Sequence, residues 1–258
     1  MTHSLYKGTV EIDFKENPWH IYTLIKSDKV LKEPEKLLSV TGATGIIDKS
    51  AALVHWATHL AADYLNDLLA KGKEITSEEI EAAIGIHKIR KDEAADTGSQ
   101  IHDWIEGFIT LKKAPALPTD PKVLNGVTAF LKWIDENDVE FLESETLVYS
   151  KKYKYVGKLD AIAKIKGKLT LIDYKSSKGI YSGFLYQTAL YRAAKEEETG
   201  KVFTGDRMIL KLGKEDGEFK VHHCTDYERD LKAGLACVIV KKRENELSKL
   251  IRELNPKK

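Results

Sequence analysis

The spacing of apolar residues divides the chain into a helical first half and a strand-rich second half. Residues 9–14 and 20–25 alternate apolar and polar positions, the period of short strands, with Asn17 and Pro18 as the turn between them. A glycine-punctuated stretch, residues 39–48, reads as a loop. Leu53, Trp56, Ala57, Leu60, Ala61, Tyr64 and Leu68 then recur at three- and four-residue steps, which predicts an amphipathic helix over 49–70 with Gly72 just past its end. Thr76 or Ser77, followed by glutamates, opens a second helix to about residue 91. Thr97 opens a third through 109, and residues 121–136 supply a fourth.

The period changes at Val139. Residues 141–149, 153–165 and 168–174 are rich in Val, Ile, Leu and Tyr and are separated by short lysine or glycine turns, so three consecutive strands are expected. A helix over 181–198, strands at 208–212 and 219–223 and a closing helix from 227 to about 254 complete the pattern. No internal repeat, low-complexity tract or linker interrupts it. The expectation is one α/β domain: residues 1–93 form N-terminal strands and a helical elaboration, 94–223 the core, and 224–258 a C-terminal helix. Its mixed sheet uses the strands near 141–149, 154–165, 168–174 and 208–212, flanked by the helices beginning at 97 and 181.

Composition narrows the class. The 258 residues suffice for one substantial core, and 42% hydrophobic with 31% charged residues is an ordinary globular profile. Two cysteines, Cys224 and Cys237, are too few for a disulfide scaffold, a four-cysteine zinc site or an iron–sulfur cluster. No run approaches the length of a membrane span and residues 1–15 lack a signal-peptide pattern, so a reducing, cytoplasmic setting without membrane contact is expected. The net charge of +1 conceals an imbalance. Residues 151–180 hold Lys151, Lys152, Lys154, Lys158, Lys164, Lys166, Lys168, Lys175 and Lys178 against only Asp160 and Asp173. Such a window suits a polyanion, with phosphate contacts from Lys151, Lys152, Lys154, Lys158 and Lys178, although a merely solvated face has the same composition.

The two embedded acids carry the chemistry. Asp160 closes Gly157-Lys158-Leu159-Asp160, and Ile172-Asp173-Tyr174-Lys175 follows on the next strand of an expected hairpin. Paired carboxylates on adjacent strands suit a hard divalent ion, Mg²⁺ or Mn²⁺, that polarises a phosphate and acidifies a water. Lys175, two residues beyond Asp173, then orients that water or neutralises developing charge.

The stretch from Asp160 to Lys175 resembles the core of the PD-(D/E)XK nucleases, and its surroundings resemble their RecB-like exonuclease branch, phage-type members included. Thr97-Gly98-Ser99-Gln100-Ile101-His102 is similar to the element whose histidine ligates metal, Gln187 and Tyr191 match its Gln-x-x-x-Tyr element, and Glu145 stands at the acidic position upstream of Gly-x-x-Asp. The resemblance spans about residues 94–195. It implies a restriction-endonuclease-like fold and DNA hydrolysis, with exonuclease action leaving 5′-phosphates, in recombination, repair or phage DNA processing in a bacterial, archaeal or phage-infected cell. It further implies a metal held by His102, Asp160, Asp173 and the Tyr174 backbone carbonyl, with Glu145 near a second metal or a water. Lys175 would assist the attacking water, Gln187 and Tyr191 would position the strand, and single- or double-stranded DNA and a recombination or single-strand-binding protein would be partners. The branch's iron–sulfur members carry four cysteines, which this chain lacks.

Other readings stay in view: a structure-specific endonuclease of the same superfamily, a DNA-binding module with an inactive core, and a short-chain dehydrogenase. The last rests on Gly42 and Gly45 in a phosphate-binding-like turn and on Tyr174 with Lys178; Asp48 stands where that turn has its third glycine. His55 and His59, four apart on one helix, mimic a zinc pair without a third ligand.

Overall fold

Chain order in the computed structural model follows the expected periods closely. It describes residues 1–16, 20–111 and 113–255; the turn expected at Asn17 and Pro18 lies outside them. The elements are β1 (Thr2–Leu5), β2 (Val10–Lys15), β3 (Ile21–Lys26), β4 (Glu35–Lys36), β5 (Leu38–Ser39), α1 (Val40–Thr44), α2 (Ser50–Ala70), α3 (Ser77–Leu111), α4 (Pro121–Asp135), β6 (Val139–Ser150), β7 (Tyr155–Ile165), β8 (Lys168–Lys175), α5 (Ser182–Thr199), β9 (Arg207–Leu212), β10 (Phe219–Cys224) and α6 (Tyr227–Leu254). The helix starts have local causes. Asp120 caps α4 by accepting from the Lys122 and Val123 N–H groups with Pro121 at the first position, and Asp226 caps α6 through the Arg229 N–H.

The result is an α/β fold with a mixed sheet flanked by helices. Six strands run in the order β10-β9-β8-β7-β5, and β6 takes the other edge of β7 along its whole length. β8 and β9 are parallel, joined by α5, and β5 is parallel to β7; the remaining ladders are antiparallel. Because β5 pairs at Tyr155 and Val156 while β8 pairs from Ala161 to Ile165, both share one edge of β7 and leave a gap between them.

Two apolar clusters hold the sheet. Val40 and Ala43 of α1, Leu190, Tyr191 and Ala194 of α5 and Val238 of α6 pack on Val148, Tyr155, Leu159, Ile162 and Leu171. A second, antiparallel sheet, β1-β2-β3-β4, buries Leu5, Val10, Ile12, Phe14, Tyr22 and Leu24 against Leu147, Tyr149 and Val156. Val148 thus points to the helices and its neighbours to the small sheet, the alternation expected of a strand buried on both faces. On α4, Phe130 meets Tyr174 edge-on with centroids 5.7 Å apart. Arg207 is fully buried, and its guanidinium bonds the Asp230 carboxylate at 2.6 Å, the Leu185 and Cys224 carbonyls and the Thr188 hydroxyl.

The structure revises three expectations. The chain forms two compact units, residues 1–47 with 104–258, and residues 48–103, so the N-terminal strands belong with the core and not with the helical elaboration. Thr97 does not open a helix: α3 runs unbroken for 35 residues, and the Thr97 hydroxyl donates to the Glu93 carbonyl at 2.8 Å. That back-bond satisfies the hydroxyl inside a helix, so Thr-Gly-Ser is no boundary. Thirdly, residues 39–48 are not simply a loop. Ser39 caps the five-residue α1 through the Gly42 N–H after a two-residue strand, a unit far shorter than a dinucleotide-binding strand–turn–helix.

Candidate metal centre

The ladder between β7 and β8 ends at the Ala161–Ile172 pair, and a side chain continues it. Asp160 Oδ2 accepts from the Tyr174 backbone N–H at 2.7 Å, a contact that joins β7 to β8 just beyond their last backbone pair. The carboxylate is thereby fixed by main chain, and the Tyr174 main chain is drawn to it while its ring packs against Phe130 beyond.

On the other edge, Glu145 faces Asp160 between the Ser144–Ala161 and Thr146–Leu159 pairs. Its φ of 50° is the left-handed region, rare for a side chain larger than glycine and costly inside a strand. The partner strand is irregular at the same level. Leu159 and Ile162 enter the same apolar cluster although they are three residues apart, so alternation along β7 changes parity across Asp160. The register of β6 on β7 shifts between Phe141 and Glu143, two residues before Glu145, as at a bulge.

His102 completes the group. One ligand atom each from His102, Glu145 and Asp160 lie within 4.8 Å of one another. His102 stands less than one turn before Ile105, which is fully buried, on the unbroken α3. One imidazole and two carboxylates fit a hard or borderline divalent ion such as Mn²⁺ or Mg²⁺.

Beside this group Asp173 is 1% exposed and Lys175 Nζ lies 2.6 Å from its Oδ2. Burial draws the Lys175 ammonium down, but Asp173, Asp160 and Glu145 outweigh it and raise its pKa above the ordinary lysine value. Lys175 Nζ also lies 5.1 Å from the Phe184 ring centre. Lys158 Nζ is 2.7 Å from Glu145 Oε2, with side-chain exposures of 28% and 15%.

Of the expected site residues, His102, Glu145 and Asp160 each have one potential ligand atom within 4.8 Å of the others, and Asp173 Oδ2 lies 2.6 Å from Lys175 Nζ. Tyr191 is 3% exposed, so it is core rather than a surface contact. Gln187 Nε2 donates to its hydroxyl at 2.8 Å, which leaves Gln187 as the half-exposed member of the pair.

The lysine window is largely neutralised. Lys151 pairs with Asp28, Lys154 with Glu35 at 3.4 Å, Lys158 with Glu145 and Lys164 with Glu140 at 2.9 Å. These acids are remote in sequence, which is why a local count overstated the field. Lys152 rests 5.0 Å from the Tyr153 ring centre, and Lys178 is exposed. His55 and His59 stack at 3.9 Å with His59 Nδ1 against the His55 carbonyl, and no third ligand joins them among the described residues.

Sequence reasoning missed the Lys158–Glu145 pair; the positions of the two residues around Asp160 were visible, but the pairing needs the register of β6 on β7. Among the described residues no helix is long and apolar enough to cross a membrane. Compared with known protein families and with curated proteins, the chain matches none.

Proposed function

We propose that the chain is a metal-dependent DNA nuclease of the PD-(D/E)XK type, RecB-like branch, with the restriction-endonuclease-like variant of the α/β fold, hydrolysing phosphodiester bonds to leave 5′-phosphates. The observation that carries the reading is the meeting of His102, Glu145 and Asp160 within 4.8 Å beside the buried Asp173–Lys175 pair. An ion there, Mg²⁺ or Mn²⁺, would supply phosphate polarisation and an acidified water.

The chain's own groups have separable tasks. Asp160 is held by the Tyr174 N–H, so its approach direction is set before substrate arrives. Asp173 supplies the negative charge that keeps Lys175 protonated within the sheet. As an ammonium, Lys175 would orient water and offset charge on the phosphorane-like transition state. Tyr191 packs its ring against Gly157 of β7, and Gln187, which donates to its hydroxyl, would make the strand contact. DNA and a recombination or single-strand-binding protein are the partners this reading implies.

The test is incubation with end-labelled single and double strands, with and without Mn²⁺. Cleavage that requires the ion and disappears in Asp160→Ala and Asp173→Ala supports the proposal. Cleavage by purified Asp160→Ala at the parental rate would sink it, as would inert wild type on every DNA form.

A further inference from the structure

We propose that the DNA strand leaves the candidate metal centre across β8, β9 and β10, with its phosphates held by Lys211 and Lys220. The inference rests on the nuclease reading above and adds to it the path of the substrate.

The geometry begins at Lys175. In β8, Leu171, Asp173 and Lys175 share the face that packs on α5, because successive side chains alternate. Parallel pairing sets Lys175 opposite Lys211 of β9, and antiparallel pairing sets Lys211 opposite Lys220 of β10. Partners across a ladder point to one side of a sheet, so the three lysines form a single row on that face, rooted about 4.8 Å apart. Arg207 and Ile209 precede Lys211 on the same face. Arg207 bonds the Leu185 carbonyl of α5 and Ile209 is fully buried, whereas Lys211 is half-buried and Lys220 exposed. The row thus emerges from beneath α5 and opens to solvent toward the β10 edge.

Charge identifies the occupant. Lys151, Lys154, Lys158 and Lys164 are each joined to a carboxylate, but among the described residues no ion pair reaches Lys211 or Lys220. The acids of the β9–β10 turn are engaged elsewhere: Glu218 with Lys132, Glu215 with Lys122 at 3.9 Å, and Asp216 with the Glu218 N–H. Like charges set directly opposite weaken a ladder, so the Lys211–Lys220 pair does not serve the sheet. A run of phosphates turns that repulsion into binding, each contact releasing counterions. The 18-residue α5 adds to the field, since it starts at Tyr181 with no side-chain cap and no acid in its first turn, and Lys175 Nζ lies 5.1 Å from the Phe184 ring of that turn. Just past the strand ends, burial and then Lys122 and Lys178 draw Lys214 below the ordinary lysine pKa, with Glu215 opposing, so that margin is cationic too.

The experiment is fluorescence-anisotropy titration of the full chain with a labelled single strand and its duplex, in chelator over a series of salt concentrations, paired with cleavage kinetics in Mn²⁺. The variants are Lys211→Gln, Lys220→Gln, Lys211→Arg, Lys220→Arg and, as the comparison, Lys164→Gln, which removes a lysine already paired with Glu140. Each of the two glutamine changes in the row should flatten the log–log salt slope by about 0.7 on the single strand and about 0.9 on the duplex, while the arginine variants and Lys164→Gln keep it. In Mn²⁺ the same two should raise KM about three- to tenfold with kcat nearly unchanged, as loss of uniform binding requires. Thermal melts establish that each variant is folded, and Lys220→Glu stands in for Lys211→Gln if the half-buried position does not tolerate the change. Parental salt slopes and KM in the folded row variants, or an equal flattening in Lys164→Gln, would overturn the inference and, with wild type still cleaving, leave the nuclease reading standing. Wild type that neither binds nor cleaves DNA would remove both.

Discussion

A Cβ added to Gly157 would lie 2.3 Å from Cε1 of Tyr191. The two residues belong to different sequence elements, Gly-x-x-Asp on β7 and Gln-x-x-x-Tyr on α5, and the structure makes them one contact. The ring fills the space a side chain on β7 would need, and Val40 of α1 closes it from a third side at 3.1 Å.

Gly157→Ala should therefore destabilise by about 1–3 kcal/mol, the range for inserting carbon into a packed core. Urea unfolding measures it. Tyr191→Leu should make the second substitution milder than in wild type, because the two act on one volume; strictly additive losses would show that the contact is relieved elsewhere.

Much of the fold was legible because its periods are long and regular. β6, β7, β8, α4, α5 and α6 each fall within about two residues of the expected bounds, since each carries its own alternation or cap. What was not legible depends on pairing between distant segments. β5 and α1 are too short to show a period and exist because Leu38 and Ser39 find Tyr155 and Val156. The candidate site divides in the same way. Asp160, Asp173 and Lys175 could be placed on neighbouring strands from spacing alone, whereas the left-handed backbone of Glu145, whose carboxylate groups with His102 and Asp160, is announced by nothing in Ser-Glu-Thr.

Asp230→Ala should cost about 3–5 kcal/mol, because it strands the guanidinium of Arg207, whose side chain is 0% exposed, without its carboxylate. Arg207→Met combined with Asp230→Leu should be milder than Asp230→Ala alone. Denaturant midpoints decide it, and a double variant as damaged as the sum of its parts would assign the cost to packing.

Burial pushes the Cys224 thiol from 9.0 up to about 11, with Arg207 opposing the shift and Asp230 adding to it. The unfolded chain loses this proton first, so the contribution of Cys224 to stability is complete below about pH 9 and is lost as pH rises toward 11. Cys224→Ala should flatten the fall in melting temperature over that interval. The same burial predicts slow alkylation of Cys224 in the native protein at pH 8 and rapid alkylation in urea.

Lys175→Met separates the stabilising task of the lysine from its chemical one. It removes the ammonium 2.6 Å from Oδ2 of Asp173, a carboxylate 1% exposed, and should cost about 3–5 kcal/mol in chelator. Adding Asp173→Asn to it removes the carboxylate's charge, so the double variant should recover much of that loss. Cleavage should behave oppositely. Lys175→Met should reduce the rate by about 10²–10³-fold, the scale for removing one preorganised charge, and the double variant should recover none of it despite its better stability. Wild-type cleavage by either folded variant would confine Lys175 to balancing a buried aspartate. A double variant no more stable than Lys175→Met would mean that Asp173 is compensated by groups other than Lys175.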